Sequence, residues 1–239
     1  MAATGWARHC PSRSKARWSG PVSPIRFSMT RRGAARMSEA QFESALQSRE
    51  GPADLSVEIR EITGRGMIDL RGLAGERKFM AAVKEVLGLD LPKAPRTSAA
   101  WGDIQALWLS TDQWLILFPR AKTGELLSAL RKALAGIHSF AVDVSDMRSI
   151  IRVEGDDARM VLLKGSTLDL LSPEYAAGTV RRLRFAEIAA LLHIVSAGPD
   201  VIDVYVFRSY ADYAWDWFLA NGRAVAALRP FGRQATPTV

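Results

Sequence analysis

The chain is poor in the residues that build metal and redox centres. Of its 239 residues, one is cysteine (Cys10) and three are histidine. No cysteine follows residue 10, so the body has no disulfide framework, thiolate nucleophile or cysteine-ligated metal site. That usage suits a reducing compartment, and a cytoplasmic location is expected. His9, His138 and His193 lie far apart without ligand spacing. His193 falls in an apolar strand pattern, which favours a core histidine over a ligand; His138, after Gly136, reads as a helix-end residue. Long hydrophobic runs are missing too: no stretch of ~18 apolar residues exists, so no membrane-spanning segment is expected.

Acidic residues are missing from one region. Residues 1–36 hold Arg8, Arg13, Lys15, Arg17, Arg26, Arg31, Arg32 and Arg36, and no Asp or Glu. The rest of the chain, with 24 basic and 25 acidic residues, is near neutral although the whole carries +7. The charge therefore argues against nucleic-acid binding by the folded body. The first 50 residues are expected as a disordered basic tail, because Arg, Ser, Pro and Gly bury too little apolar surface to offset their ordering entropy. The tail has three readings: a transit peptide, an arm for an acidic partner, or read-through upstream of a start at Met37 or Met29. The abrupt change of composition at Met37 favours the third.

With 48% hydrophobic and 24% charged residues, the remainder is ordinary globular sequence, and it repeats. In the first copy, Val57–Ile62 and Met67–Gly72 alternate about the turn Thr63–Gly66, which predicts a hairpin. Phe79, Val83 and Leu87 give one apolar face of a helix over 76–87, stopped by Gly88. Leu89-Asp90-Leu91-Pro92 follows. The second copy has the same order: Phe140–Ser145, a turn at Asp146-Met147, and Ser149–Gly155. Asp156 and Asp157 can then cap a helix over 158–164, stopped by Gly165 and followed by Leu168-Asp169-Leu170. The second halves match as well. Ile104–Leu109 and Gln113–Phe118 predict a hairpin before a helix over 123–134. Glu187–Val195 and Val201–Phe207 predict another before a last helix, capped by Ser209, with Tyr213, Trp217 and Phe218 on one stripe. Each half reads β-β-α-β-β-α. The expected class is α+β: two similar lobes, 51–138 and 139–230, with antiparallel or mixed sheets covered on one face, then a flexible C-terminus over 231–239.

Chemistry is hard to find in this body. Gly64-Arg65-Gly66 resembles part of a dinucleotide fingerprint but sits in a turn between strands, where a turn is the better reading. Lys164-Gly165-Ser166-Thr167 imitates the end of a phosphate loop, yet a helix precedes it instead of following it. There is no Gly-x-Ser-x-Gly elbow. Adjacent Asp156 and Asp157 do not face each other as an acid/base pair. Arg181-Arg182-Leu183-Arg184 alternates along a strand and is either a charged protective edge or a surface for an acidic partner. Trp215 and Trp217, about 200° apart on a helix, cannot share one stripe, so one should face outward or into an interface.

Certain segments resemble the sarcosine oxidase gamma-subunit family. They are Trp108-Leu-Ser-Thr-Asp-Gln-Trp114-Leu, Asp143-Val-Ser145, Val153-Glu-Gly155-Asp-Asp-Ala-Arg159, Leu162-Leu-Lys164-Gly165-Ser-Thr-Leu168-Asp169-Leu170 and Arg208-Ser209-Tyr210-Ala211-Asp212-Tyr213-Ala214-Trp215. The likeness spans about Glu58 to Leu219; family members often carry Cys where Ser166 stands. The resemblance implies a fold like the folate-binding aminomethyltransferases. It also implies a complex of alpha, beta, gamma and delta chains that oxidatively demethylates sarcosine to glycine, with hydrogen peroxide and formaldehyde or methylene-tetrahydrofolate as products. FAD, FMN, NAD, zinc and tetrahydrofolate are then expected in the partner subunits and none in this chain. The gamma chain is expected to be noncatalytic and to pack mainly on alpha, with Arg148, Lys164, Arg208 and Tyr210 as candidate contacts. Two alternatives stay open. One is the equivalent subunit of a dehydrogenase for another N-methyl amino acid, such as N-methylglutamate. The other is a stand-alone folate-binding module, with Arg148, Arg152 and Arg208 holding the glutamate tail.

Overall fold

The computed structural model describes residues 42–47, 49, 51 and 54–223. Most of the basic tail, with Cys10, and the C-terminus expected over 231–239 lie outside the described residues. The expected tail ends early, because Leu46 is buried against the core. None of the helices described is long and apolar enough to cross a membrane.

Among the described residues, ten strands form two five-stranded antiparallel sheets. The first copy supplies β1 (Glu58–Glu61), β2 (Arg65–Gly72), helix α1 (Arg77–Leu87), β3 (Ser98–Trp101), β4 (Ile104–Ser110), β5 (Gln113–Pro119) and helix α2 (Thr123–Ala133). The second supplies β6 (Ser139–Asp143), β7 (Arg148–Glu154), α3 (Ala158–Leu163), β8 (Val180–Phe185), β9 (Ile188–Ala197), β10 (Asp200–Phe207) and α4 (Ala211–Asn221). A 3-10 turn introduces α2 and another α4. Each copy is thus β-β-α-β-β-β-α. The extra strand in the first half, β3, is short and half exposed, and it carries no alternating pattern.

The sheets run β3-β4-β5-β2-β6 and β1-β7-β10-β9-β8. Neither hairpin expected at the start of a copy forms. β1 pairs with β7, and β6 pairs with β2, so the two halves exchange their first strands. The physical reason lies in the connections. Ile62 and Val144 enter the core between the sheets, so the chain passes from one layer to the other. Ile62 N donates to Ile150 O and Val144 N to Met67 O, each at 2.9 Å. Alternation identifies a strand and its two faces but not its partner.

The layers are helices, sheet, sheet, helices. Ile68, Leu70, Phe79, Val83, Trp114, Ile116 and Leu130 join the first sheet to α1 and α2. Val153, Leu162, Val204, Trp215 and Phe218 join the second sheet to α3 and α4. Met67, Leu115, Leu117, Ile150, Leu191 and Tyr205 fill the space between the sheets. The sheets are therefore covered on both faces, not one, which is why β5 and β10 each bury five consecutive residues, 114–118 and 202–206.

The repeated segments after α1 and α3 are anchors. Leu89 and Leu91 are buried, and the Trp114 indole donates to Pro92 O at 2.8 Å. In the second copy, Arg159 holds the Asp200 carboxylate with Nε at 2.9 Å from both oxygens and donates to the Leu170 and Tyr175 carbonyls. Gly88 stops α1 in the left-handed conformation, as its place predicts. Asp157 and Ser209 make no side-chain cap. The buried stripe of α4 is Ala211, Ala214, Trp215 and Phe218, while Tyr213 is exposed. Neither tryptophan stands free: Trp215 is buried, and Trp217 meets the Phe185 ring edge-on at 4.6 Å.

Candidate functional site

The two crossings between sheets lie close to each other. Gly64 O accepts from Arg120 N at 2.8 Å, and Met147 O accepts from Arg208 N at 3.0 Å. Arg120 follows β5 as Arg208 follows β10, so duplication places one arginine beside each crossing. The Phe42 ring lies between them, 4.2 Å from the Arg120 guanidinium and 6.0 Å from that of Arg208. Both guanidiniums are engaged: Arg120 with Asp146 at 2.7 Å, and Arg208 with the Glu43 carbonyl. Phe42 and Arg120 were missed from sequence. Aligning Pro119-Arg120 with Phe207-Arg208 would have found the second.

Arg148 opens β7 opposite Phe207 in the β10 register, with its guanidinium 4.4 Å from that ring. With Arg208 it lines a small recess that includes Phe42, Gly64 and Ser145. On its other side, Arg148 borders an open cleft of about 630 Å³ with Arg182, Arg184, Ala189, Leu191 and Phe207. This cleft is the end of the second sheet's inner face that the first sheet leaves uncovered. Leu191 reaches the inter-sheet core, while Ala189, two residues earlier on the same face, is exposed. Arg148 Nε is buried without a hydrogen-bond partner among the described residues. Burial lowers the Arg148 pKa; Asp69 opposes that shift and Arg182 adds to it. Arg148 and Arg182 form no ion pair among the described residues, whereas Arg184 pairs with Glu187.

The remaining candidates sit elsewhere. Tyr210 is exposed at the start of α4. Lys164 turns inward, its Nζ donating to Asn221 O at the end of α4, and burial lowers its pKa. The structure thus brings Arg148 and Arg208 together, places Tyr210 just beyond Arg208, and gives Lys164 an internal partner. Arg152 is engaged by Asp203, with bonds of 2.6 and 2.9 Å. His193 is a buried core residue, its Nε2 3.0 Å from Ser98 Oγ. Among the described residues no group of three or more His, Cys, Asp or Glu side chains could hold a metal ion.

The duplicated, strand-exchanged sheets define an aminomethyltransferase-like α+β fold. A solved heterotetrameric sarcosine oxidase from Corynebacterium sp. U-96, in complex with pyrrole 2-carboxylate, contains a chain that superposes with a TM-score of 0.67 at 24% identity, covering 76% of this chain and 91% of that one. The glycine cleavage system aminomethyltransferase T from Bartonella henselae superposes with a TM-score of 0.54 at 12% identity, covering 69% of this chain and 46% of that one. Residues 71–224 match the family described as sarcosine oxidase, gamma subunit, and the chain belongs to that family. Among curated relatives, the sarcosine oxidase subunit gamma of Corynebacterium sp. (strain U-96) is 29% identical over 156 residues, 64% of this chain and 74% of that protein. The protein of the same name from Arthrobacter sp. is 28% identical over 146 residues, 60% of this chain and 70% of that protein.

Proposed function

We propose that the chain is the gamma subunit of a heterotetrameric sarcosine oxidase and serves it as a noncatalytic structural subunit. Family membership over residues 71–224 carries this reading. In it, the complex demethylates sarcosine to glycine, with hydrogen peroxide and formaldehyde or methylene-tetrahydrofolate as products. FAD, FMN, NAD, zinc and tetrahydrofolate are held by the alpha, beta and delta partners, with alpha the main neighbour, in the cytoplasm. One internal contact speaks against a stand-alone folate module. Arg152 is neutralised by Asp203, which removes one of the three cations such a tail site would use. The test is sarcosine-dependent peroxide formation by the co-expressed partners with and without this chain. A stable, active complex is expected only when the chain is present. Equal yield and activity without it would refute the reading, and a preference for N-methylglutamate would reassign the substrate.

A further inference from the structure

The uncovered end of the second sheet's inner face combines an apolar floor with unpaired positive charge. Ala189, Leu191 and Phe207 form the floor, and Arg148 and Arg182 stand over it. Two like charges share the wall, one is partly desolvated, and neither forms an ion pair among the described residues; Asp69 offsets part of the Arg148 charge, and Glu187, also on the lining, is taken up by Arg184. Such an arrangement is unfavourable in isolation and becomes favourable when an anion enters. Arg182 also lines a second recess, with Arg96, Trp108 and Arg181, so the positive strip is longer than one side chain. Arg181 there leans on Glu174 at 3.4 Å, whereas Arg182, which lines both recesses, forms no ion pair among the described residues.

We propose that this cleft, with Arg148 and Arg182 on its wall and Leu191 and Phe207 on its floor, receives an acidic segment of a partner subunit carrying an apolar residue beside its carboxylate. The proposal rests on the reading of the chain as a subunit of a larger oxidase. Charge selects the occupant. The flanks of this sequence, residues 1–41 and 224–239, carry one carboxylate side chain, Glu39, among many arginines, so they are poor counter-ions for the cleft. An apolar floor of this size suits a peptide side chain better than a free inorganic anion. The strip runs along β8, the edge strand of its sheet, so the basic run of that strand serves a partner instead of only guarding an edge.

The experiment compares assembly of tagged wild-type chain, Arg182→Glu, Arg182→Lys and Ala189→Trp with the co-expressed partner subunits, at low and high salt. Arg131→Glu, on the exposed face of α2, controls for net charge. Arg182→Glu should weaken association at least about tenfold, and Ala189→Trp should weaken it by blocking the floor. Arg182→Lys should stay within about threefold of wild type, and Arg131→Glu should be unchanged. Wild-type association should fall with salt more steeply than that of Arg182→Glu. The cleft assignment is overturned if wild type assembles and both Arg182→Glu and Ala189→Trp assemble equally well. It is also overturned if the substitutions alter only self-association of this chain or only binding of inorganic phosphate. A wild-type chain that fails to assemble at all would refute the subunit reading itself, which is a different result.

Discussion

Gly72 ends β2 where a Cβ atom would stand 2.3 Å from the Phe79 ring. Phe79 is fully buried against Trp114, with ring centroids 5.8 Å apart, so it has nowhere to retreat. Gly72→Ala should therefore destabilise the protein by about 1–3 kcal/mol, read as a lower urea midpoint at unchanged slope. A variant as stable as wild type would show that the helix layer yields more than its packing implies. His193 gives a pH-dependent counterpart. It lies 5% exposed with Nδ1 unpartnered among the described residues, and burial lowers its pKa from 6.5 to about 4. The folded state thus favours neutral imidazole while the unfolded chain takes up a proton near pH 6.5. Its contribution is complete above that pH and is lost as pH falls towards 4, roughly 3 kcal/mol in all. Urea unfolding from pH 8 to 4 should show wild type losing that much more than His193→Gln. Parallel pH profiles would contradict the assignment. The core position of His193 was legible in the sequence, because an ionisable group inside an apolar strand pattern is rarely a ligand when no second ligand lies nearby.

At the scale of elements, local patterns carried far and pairing did not. The face of α1, the β4–β5 hairpin and the β9–β10 hairpin were legible, since period and turn chemistry are local properties. The exchange of β1 and β6 was not, because a three- or four-residue connection looks the same whether it turns within a sheet or crosses between two. Nor was the α4 stripe, where Tyr213 and Trp215 have comparable hydrophobicity and only tertiary contact decides which is buried. The exchange has a consequence for folding. A fragment ending at residue 138 has β2 but lacks β6, its edge partner, and a fragment starting at 139 lacks β1. Neither half should fold alone; mixed, the two should recover the native circular dichroism spectrum and elute as one species. A first half that folds by itself would contradict the exchanged pairing.

For the whole molecule, the near-neutral body and the duplicated frame were legible, and so was the family, through segments that the structure shows to be anchors. Arg159 ties the chain around Leu170 and Tyr175, and the Trp114 indole holds Pro92. The cleft was only half legible. Arg181-Arg182-Leu183-Arg184 announced a charged strand. That Arg148 joins it over an apolar floor depends on where the first sheet stops covering the second, which no local pattern encodes. As a member of the sarcosine oxidase gamma-subunit family, the chain works as a dedicated subunit of a larger assembly. The most direct measurement is purification of this chain, tagged at its own locus, followed by mass determination of the intact particle. A flavin-containing particle with one copy of this chain among four kinds of subunit is expected. A chain that elutes alone, with no flavoprotein bound, would contradict it.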